Sequence, residues 1–385
     1  MTDIVKSRIG LANIGNTCFL NVVLQALRLS PSIGELFLSN PSVMIEPRIE
    51  STRGRLLRAF QVLIRDFWKH VPVGNSNSLV PHGFFHSLHT VLRSTENDWY
   101  RPGQQADAAE ALQYILDSLH DAMYKAVVMD VVGHAHNKSE AKQLKALESW
   151  AQFHRKEYSP IIGHFYGQTQ ASITCKKCGN VSERYEPWLM IKAPIPGANV
   201  VGGPAPTLST CLDAAFTSED IDDYHCDTCK QKGAATMSTR ISRLPPTLIL
   251  SIKRFTNENH KVRGRIAWDL EMTDFTPWMA FPRDPFGDNS ALPVYESYAV
   301  IEHHGSSHGG HYRMYARQID EWFEYDDSSV QTVTPDTVIT ADSYIVFMTL
   351  KRNMDTQNKE FAGHIAAIRA HAAVVKAESA GVPPT

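Results

Sequence analysis

The sequence predicts an α+β fold. Apolar residues recur at helical spacing through residue 125, short strands bounded by Pro and Gly take over from Ile161, and no internal repeat interrupts that order. Helices first and antiparallel strands after is the α+β layout. A chain of 385 residues can bury a sizeable core.

From Asn16 to Leu29, Phe19, Val22, Val23, Ala26 and Leu27 form a helical stripe. Leu20 and Leu24 widen it, so this helix is expected to be buried on most sides. Arg53–His70 is a second helix, with Leu56, Leu57, Phe60, Leu63, Ile64 and Phe67 as its stripe. Asp107–His120 is a third. Asp107 is read as its N-cap, Glu110 as the capping-box partner, and Leu112, Ile115, Leu116 and Leu119 as its inner face. Residues 126–160 read as an insert in which Ser139–Trp150 forms an exposed helix. Leu208–Phe216 is a helix with Cys211 in the core. The clearest strands are Thr247–Phe255, Tyr298–His303, His311–Arg317, Trp322–Asp326 and Ser343–Leu350, and Pro282–Pro293 is a loop. Beyond Met354 the tail is Ala-rich, with Phe361, Ile365, Ile368, Ala372 and Val375 at helical steps.

Hydrophobic residues make up 43% and charged residues 21%, which excludes disorder, collagen-like repeats and a disulfide scaffold. With 38 basic and 41 acidic residues the net charge is −3, so nucleic acid is not expected as a partner. Met1–Gly10 lacks the apolar core of a secretory signal. No window approaches the ~18 uninterrupted apolar residues of a membrane span, so no membrane partner is expected. The expectation is a soluble intracellular protein, cytoplasmic or nuclear. Its oligomeric state is left open, with a monomer as the default.

Cys18 opens the first helix, after Asn13-Ile14-Gly15-Asn16-Thr17. Unpaired N–H groups make a helix N-terminus positive, which favours a thiolate and marks Cys18 as a candidate nucleophile. Asn13 offers an amide donor for a tetrahedral oxyanion. The alternative is a structural thiol on an apolar helix. A cysteine nucleophile wants a histidine base. Among 17 histidines, His311 is distinctive because Gly309 and Gly310 let the chain approach closely just before it. Trp322–Asp327 forms the next strand, and a turn at Gln318–Glu321 would pair the two. An acidic residue could then fix the His311 tautomer. Strand alternation separates Asp326 from Asp327 but does not choose between them.

Cys175–Cys178 and Cys226–Cys229 are two C-x-x-C pairs with 47 residues between them. Four thiolates make a closed tetrahedral zinc site, structural in kind. The alternative is a redox dithiol, for which two pairs without a thioredoxin pattern argue poorly. This cysteine usage suits a reducing compartment.

Gly10-Leu11-Ala12-Asn13-Ile14-Gly15-Asn16-Thr17-Cys18-Phe19-Leu20-Asn21 resembles the cysteine box of the ubiquitin-specific proteases. Gly309-Gly310-His311-Tyr312 through Trp322–Val330 resembles their histidine box, and Leu244–Phe255 resembles a strand typical of the family. Gln104–Leu112 resembles a further box, departing from it at Ala106, where a second Gln is usual, and at Ala111, where a bulky apolar residue is usual. The resemblance runs from Ile9 to Arg352. It implies a papain-like cysteine protease with thumb, fingers and palm: a thumb over 1–160, zinc-ribbon fingers over 161–250, a β-rich palm over 251–352 and a tail over 353–385.

It further implies Cys18 as nucleophile, His311 as base, Asp326 as its orienter and Asn13 at the oxyanion, with Asp327 as a possible auxiliary there. Asp107 would help hold the extended ubiquitin tail, and Glu110 matches beside it. Gly309 and Gly310 belong to the loop Gly305–Gly310 that would partly close a narrow channel for that tail. The implied function is thiol-dependent hydrolysis of the bond after the C-terminal glycine of ubiquitin, acting on ubiquitinated proteins. A structural zinc on Cys175, Cys178, Cys226 and Cys229 is the sole cofactor, with no catalytic one. Two other readings stand beside this: a protease for a ubiquitin-like modifier, and a non-catalytic zinc-ribbon adaptor that binds ubiquitin.

Overall fold

The computed structural model describes residues 8–39, 50–69, 78–95, 99–197, 205–256, 258, 260–281, 293–307 and 309–351. The expected tail helix, His308 and all of the Pro282–Pro293 loop except Pro293 lie outside them. Its helices are α1 (Cys18–Arg28), α2 (Pro31–Gly34), α3 (Thr52–Lys69), α4 (His82–Ser94), α5 (Ala108–Met123), α6 (Lys138–His154), α7 (Pro160–Phe165) and α8 (Leu208–Ala215). Its strands are β1 (Gly10–Leu11), β2 (Ser78–Leu79), β3 (Gly167–Cys175), β4 (Val181–Trp188), β5 (Ile191–Pro194), β6 (Glu219–His225), β7 (Lys232–Arg243), β8 (Thr247–Lys253), β9 (Thr273–Asp274), β10 (Val294–Ser306), β11 (Gly309–Gln318), β12 (Glu321–Asp326), β13 (Ser329–Val333) and β14 (Ser343–Leu350). The α+β prediction holds. Among the described residues no helix is long and apolar enough to cross a membrane.

The larger sheet runs β13-β12-β11-β10-β14-β8-β5, with β9 added on β10. Period-two alternation sorts its side chains onto two cores. Ile249, Ala299, Ile301, Met314, Phe323, Ile345 and Phe347 face the helices α1, α3, α4 and α5. Leu248, Leu250, Val300, Tyr315, Trp322, Val346 and Met348 face the other way, toward α8. Every residue of α1 is buried, because the helix lies between its neighbours and the sheet. Each fully buried Leu or Phe in these cores contributes about 1.5–3 kcal/mol.

Three elements differ from the expectation. Helix α4 goes unremarked in the sequence, although Phe84, Leu88, Val91 and Leu92 give it a buried stripe. His82, His86 and His89 dilute the apolar signal there. The insert helix α6 is not exposed all round. Ala146, Trp150 and His154 are buried, the Arg243 guanidinium lies 4.3 Å over the Trp150 ring, and Lys142 pairs with Glu183 of β4 at 3.0 Å. The expected lobe boundary at residue 250 falls inside β8, and β5 joins the larger sheet although it lies within 161–250.

The smaller sheet runs β4-β3-β7-β6. Its two hairpins, β3-β4 and β6-β7, turn at Cys175–Cys178 and Cys226–Cys229, and pairing of β3 with β7 brings both turns to one end.

Candidate active site

Cys18 is the first residue of α1 and is buried. The strand β11 lies against this helix, and the backbone N–H of Tyr312 donates to the Cys18 thiol. A lowered thiol pKa was expected from the helix terminus, and the structure gives the opposite balance. Burial pushes the thiol up. The N–H of Tyr312 and those of Phe19 and Cys18 pull it down by less, and the charge of Asp327 adds to the rise. Desolvation disfavours the thiolate more than the helix terminus favours it.

His311 lies on β11 directly before Tyr312. Its Nε2 stands 2.6 Å from Asp326 Oδ1 at the end of β12, which leaves Nδ1 free for another partner. Register places Met314 opposite Tyr325, so the pairing of β11 with β12 carries Asp326 toward the start of β11. Asp327 belongs to the turn after the strand, with φ 47°. There its Oδ2 accepts from Asn13 Nδ2 at 2.9 Å and its Oδ1 from Asn21 Nδ2 at 2.7 Å. Asn13 Oδ1 accepts the N–H groups of Gly15 and Thr17 at 3.2 and 3.1 Å. These bonds orient the Asn13 amide, with one N–H on Asp327 and a second left over.

Asp107 caps α5, its Oδ1 accepting from the N–H of Ala109 at 2.8 Å and of Glu110 at 3.0 Å. Its Oδ2 accepts the Tyr344 hydroxyl at 2.8 Å. The reciprocal Glu110 half of a capping box does not form among the described hydrogen bonds. Glu110 is exposed on the first turn, and burial together with the Asp107 charge raises its pKa. A cleft of about 270 Å3 opens here, lined by Gln105, Asp107, Phe255, His303, Gly309, Gly310 and Tyr312, but not by Glu110.

Gly305–Gly310, expected as a loop, is the tip of the β10–β11 hairpin, with Gly305 opposite Gly310 and Ser306 opposite Gly309. A Cβ at Gly310 would meet His304 O at 2.0 Å, so only glycine lets the two strands approach. Gln105 clasps this tip, its Nε2 donating to Gly310 O at 2.8 Å and its Oε1 accepting the Gly310 N–H at 2.9 Å. Sequence reasoning assigned no role to Gln105 or to Tyr344. The signal for the first was its place directly before Ala106-Asp107; a partner so distant in sequence gives none.

The thiols of Cys175, Cys178, Cys226 and Cys229 lie within 4.8 Å of one another, and none forms a disulfide. The two turns have the same build. Cys175 O accepts from Gly179 N and Cys226 O from Lys230 N. Gly179 and Lys230, each next after the second cysteine, share left-handed φ of 70° and 55°. The N–H groups of Cys229 and Thr228 pull the Cys226 thiol down to about 7. Paired turns with convergent thiols fit a tetrahedral metal ion, so the four cysteines can hold one.

The family described as "Ubiquitin carboxyl-terminal hydrolase" matches residues 9–348. The chain belongs to that family. This hydrolase-family chain is 29% identical over 364 residues to bovine ubiquitin carboxyl-terminal hydrolase 2, covering 89% of the chain and 55% of the relative. It is 28% identical over 369 residues to human ubiquitin carboxyl-terminal hydrolase 3, covering 88% and 67%. It spans about half the length of the bovine, rat and human hydrolase 2 proteins. Among solved structures, the SAGA DUB module of Ubp8, Sgf11, Sus1 and Sgf73 bound to monoubiquitin is similar with a TM-score of 0.69 and 21% identity, over 91% of this chain and 70% of that one. The Ubp8 module bound to ubiquitin aldehyde gives 0.67, 22%, 91% and 71%. These likenesses show a shared papain-like fold.

Proposed function

We propose that the chain is a thiol-dependent deubiquitinase that hydrolyses the bond after the C-terminal glycine of ubiquitin. The observation that carries this reading is that Cys18, at the head of α1, is bonded by the N–H of Tyr312, the neighbour of His311 on β11, while His311 in turn bonds Asp326 of β12. The relatives' names and the ubiquitin-bound neighbours support the choice of substrate.

In the proposed reaction the thiol starts protonated, the form that its burial favours. His311 Nδ1 takes the thiol proton while Asp326 holds Nε2–H. The thiolate attacks the glycine carbonyl carbon, and the carbonyl π pair moves onto oxygen. The remaining Asn13 N–H and backbone N–H groups stabilise that oxyanion. Collapse breaks the C–N bond as the imidazolium gives its proton to the leaving lysine amine, forming a thioester. His311 then deprotonates a water that attacks the thioester and releases the carboxylate and the thiol. The substrate tail would run past Asp107, Gly309 and Gly310 along the cleft.

Zinc is proposed as the ion on the four cysteines, where it would close the two hairpin turns onto each other and take no part in the chemistry.

The test mixes the protein with ubiquitin carrying a C-terminal thiol-reactive warhead, and in parallel with ubiquitin-like modifiers bearing the same group. A covalent ubiquitin adduct that disappears in Cys18→Ala is expected. An adduct with a ubiquitin-like modifier alone would change the substrate, and no adduct with any of them would leave the adaptor reading.

A further inference from the structure

Behind the His311–Asp326 pair lies a buried charge network for which the proposed chemistry assigns no role. Glu302 on β10 is fully buried. Its Oε1 faces the Arg313 guanidinium at 2.9 Å, His304 Nε2 at 2.6 Å and the Tyr315 hydroxyl at 3.3 Å. Its Oε2 accepts the Thr340 hydroxyl at 2.7 Å. A second arm of Arg313 reaches Glu324 on β12 at 3.0 Å. A fully buried carboxylate is costly unless such partners satisfy it, so Glu302 and Arg313 hold each other in place.

The register connects this network to the dyad. Glu302 pairs with Arg313 and His304 with His311 across β10 and β11. Met314 pairs with Tyr325 across β11 and β12. Side chains alternate along each strand, so His311, Arg313 and Asp326 share the face that Met314 and Tyr325 do not. Burial opposes the Arg313 charge, but Glu302, Tyr315, Glu324 and Asp326 together raise its pKa.

We propose that Arg313, clamped between Glu302 and Glu324, is a positioning residue that holds a fixed cation on the sheet face of Asp326 and thereby offsets the carboxylate field felt by His311. The inference rests on the dyad read above. Asp326 favours the imidazolium, and a fixed cation beyond it disfavours that form. Loss of the Arg313 cation would therefore strengthen the pull of Asp326 on the imidazolium. Other charges face His311 as well: Asp327 after β12, Cys18 on α1 and His304 on β10, with Lys261 and Asp342 beyond His304. Of these only His304 touches Arg313, its Nε2 lying 2.8 Å from the guanidinium, so the His304 signal is followed beside that of His311.

The experiment titrates the His311 imidazole by NMR in the full chain, with His311→Gln to assign its signal, and follows the acid limb of kcat/KM in parallel. In Arg313→Gln the cation is lost and Glu302 and Glu324 are uncovered. Both changes favour imidazolium, so the His311 pKa and the acid limb should rise by about half to one pH unit, the effect of one charge several ångströms away near a protein surface. Arg313→Lys keeps a cation and should return most of that shift. If Arg313→Gln does not fold, the double variant Glu302→Gln with Arg313→Gln removes the uncovered buried charge. It should show a smaller rise, because the carboxylate that the single variant leaves uncovered is then absent. A His311 pKa equal to wild type in the folded variants, with only thermal stability changed, overturns the proposal. The NMR titration reads His311 whether or not ubiquitin is the substrate, so failure of the deubiquitinase reading and failure of this one are told apart.

Discussion

Asn13 Nδ2 donates to Asp327 Oδ2 across 2.9 Å, tying the loop before Cys18 to the turn that follows β12. Asn21 of α1 holds the other oxygen of the same carboxylate at 2.7 Å, and the Asp327 backbone carbonyl accepts the N–H of Leu11 at 2.8 Å. Adjacent carboxylates thus serve different neighbours. Asp326 meets the imidazole, and Asp327 fastens the segment that carries Asn13 to the turn that follows Asp326.

Asp326→Ala should lower turnover by ~10²–10⁴-fold, the range for impaired general acid–base catalysis. Asp327→Ala should cost less in turnover and more in thermal stability, because Asn13 loses its acceptor and Asn21 the shortest of its three. Steady-state kinetics on a ubiquitin–fluorophore conjugate with melting curves for both variants checks this; a larger turnover loss in Asp327→Ala would reverse the roles.

Asp327→Asn removes a charge that raises the Cys18 thiol and keeps one acceptor. The thiolate is then opposed by one negative charge fewer, so the pH midpoint of Cys18 alkylation should move down. Rates of iodoacetamide labelling across pH measure it. An unmoved midpoint would mean that burial alone sets the thiol.

Asn13→Ala should slow turnover by ~10²-fold with ubiquitin affinity nearly unchanged, since a donor aimed at an oxyanion acts only on charge absent from the ground state. Binding to catalytically dead Cys18→Ala, with and without the second substitution, separates the two effects. Collapsed binding would mark Asn13 as structural.

Purified protein should hold a single zinc per chain, and Cys178→Ser should lower stability and ubiquitin binding more than it slows the chemical step. Elemental analysis and melting curves, with and without a chelator, decide it. Protein that binds no metal and melts identically in chelator would refute the zinc site.

Stability should fall as pH drops from about 6.5 toward 4. Burial, reinforced by His120 and Arg243, pushes His154 down to about 4, and burial with Lys261 pushes His303 to about 4. Both imidazoles stay neutral in the fold and take up a proton on unfolding anywhere in that window. Each contributes stability that is complete above pH 6.5 and gone near pH 4, at most about 3 kcal/mol apiece. His154→Phe should flatten the slope of Tm against pH; an unchanged slope would exclude His154 as a carrier.

Much of the architecture was legible because it depends on local periodicity. The stripe of α1, the N-cap at Asp107, the strand Ser343–Leu350 and the doubled C-x-x-C are properties of neighbours in the chain, and the structure has each of them. Helix α4 carried the same kind of signal, thinned by histidines.

By itself the sequence determined the candidates for the chemistry: a cysteine at a helix start, a glycine-flanked histidine, two neighbouring acids and four paired thiols. Only the tertiary structure decided how they meet. Alternation could say that Asp326 and Asp327 point apart, but not that β12 ends at Asp326 while two asparagines from the cysteine loop and helix claim Asp327. Position in a helix argued for a depressed Cys18 thiol, and burial against β11 reversed that, because desolvation depends on what packs over a residue. Arg313 was one polar residue in an alternating strand until the folded sheet set it between Glu302 and Glu324. Pairings between strands distant in the chain leave no mark on the spacing within either, so the electrostatics of the site exist only in the folded sheet.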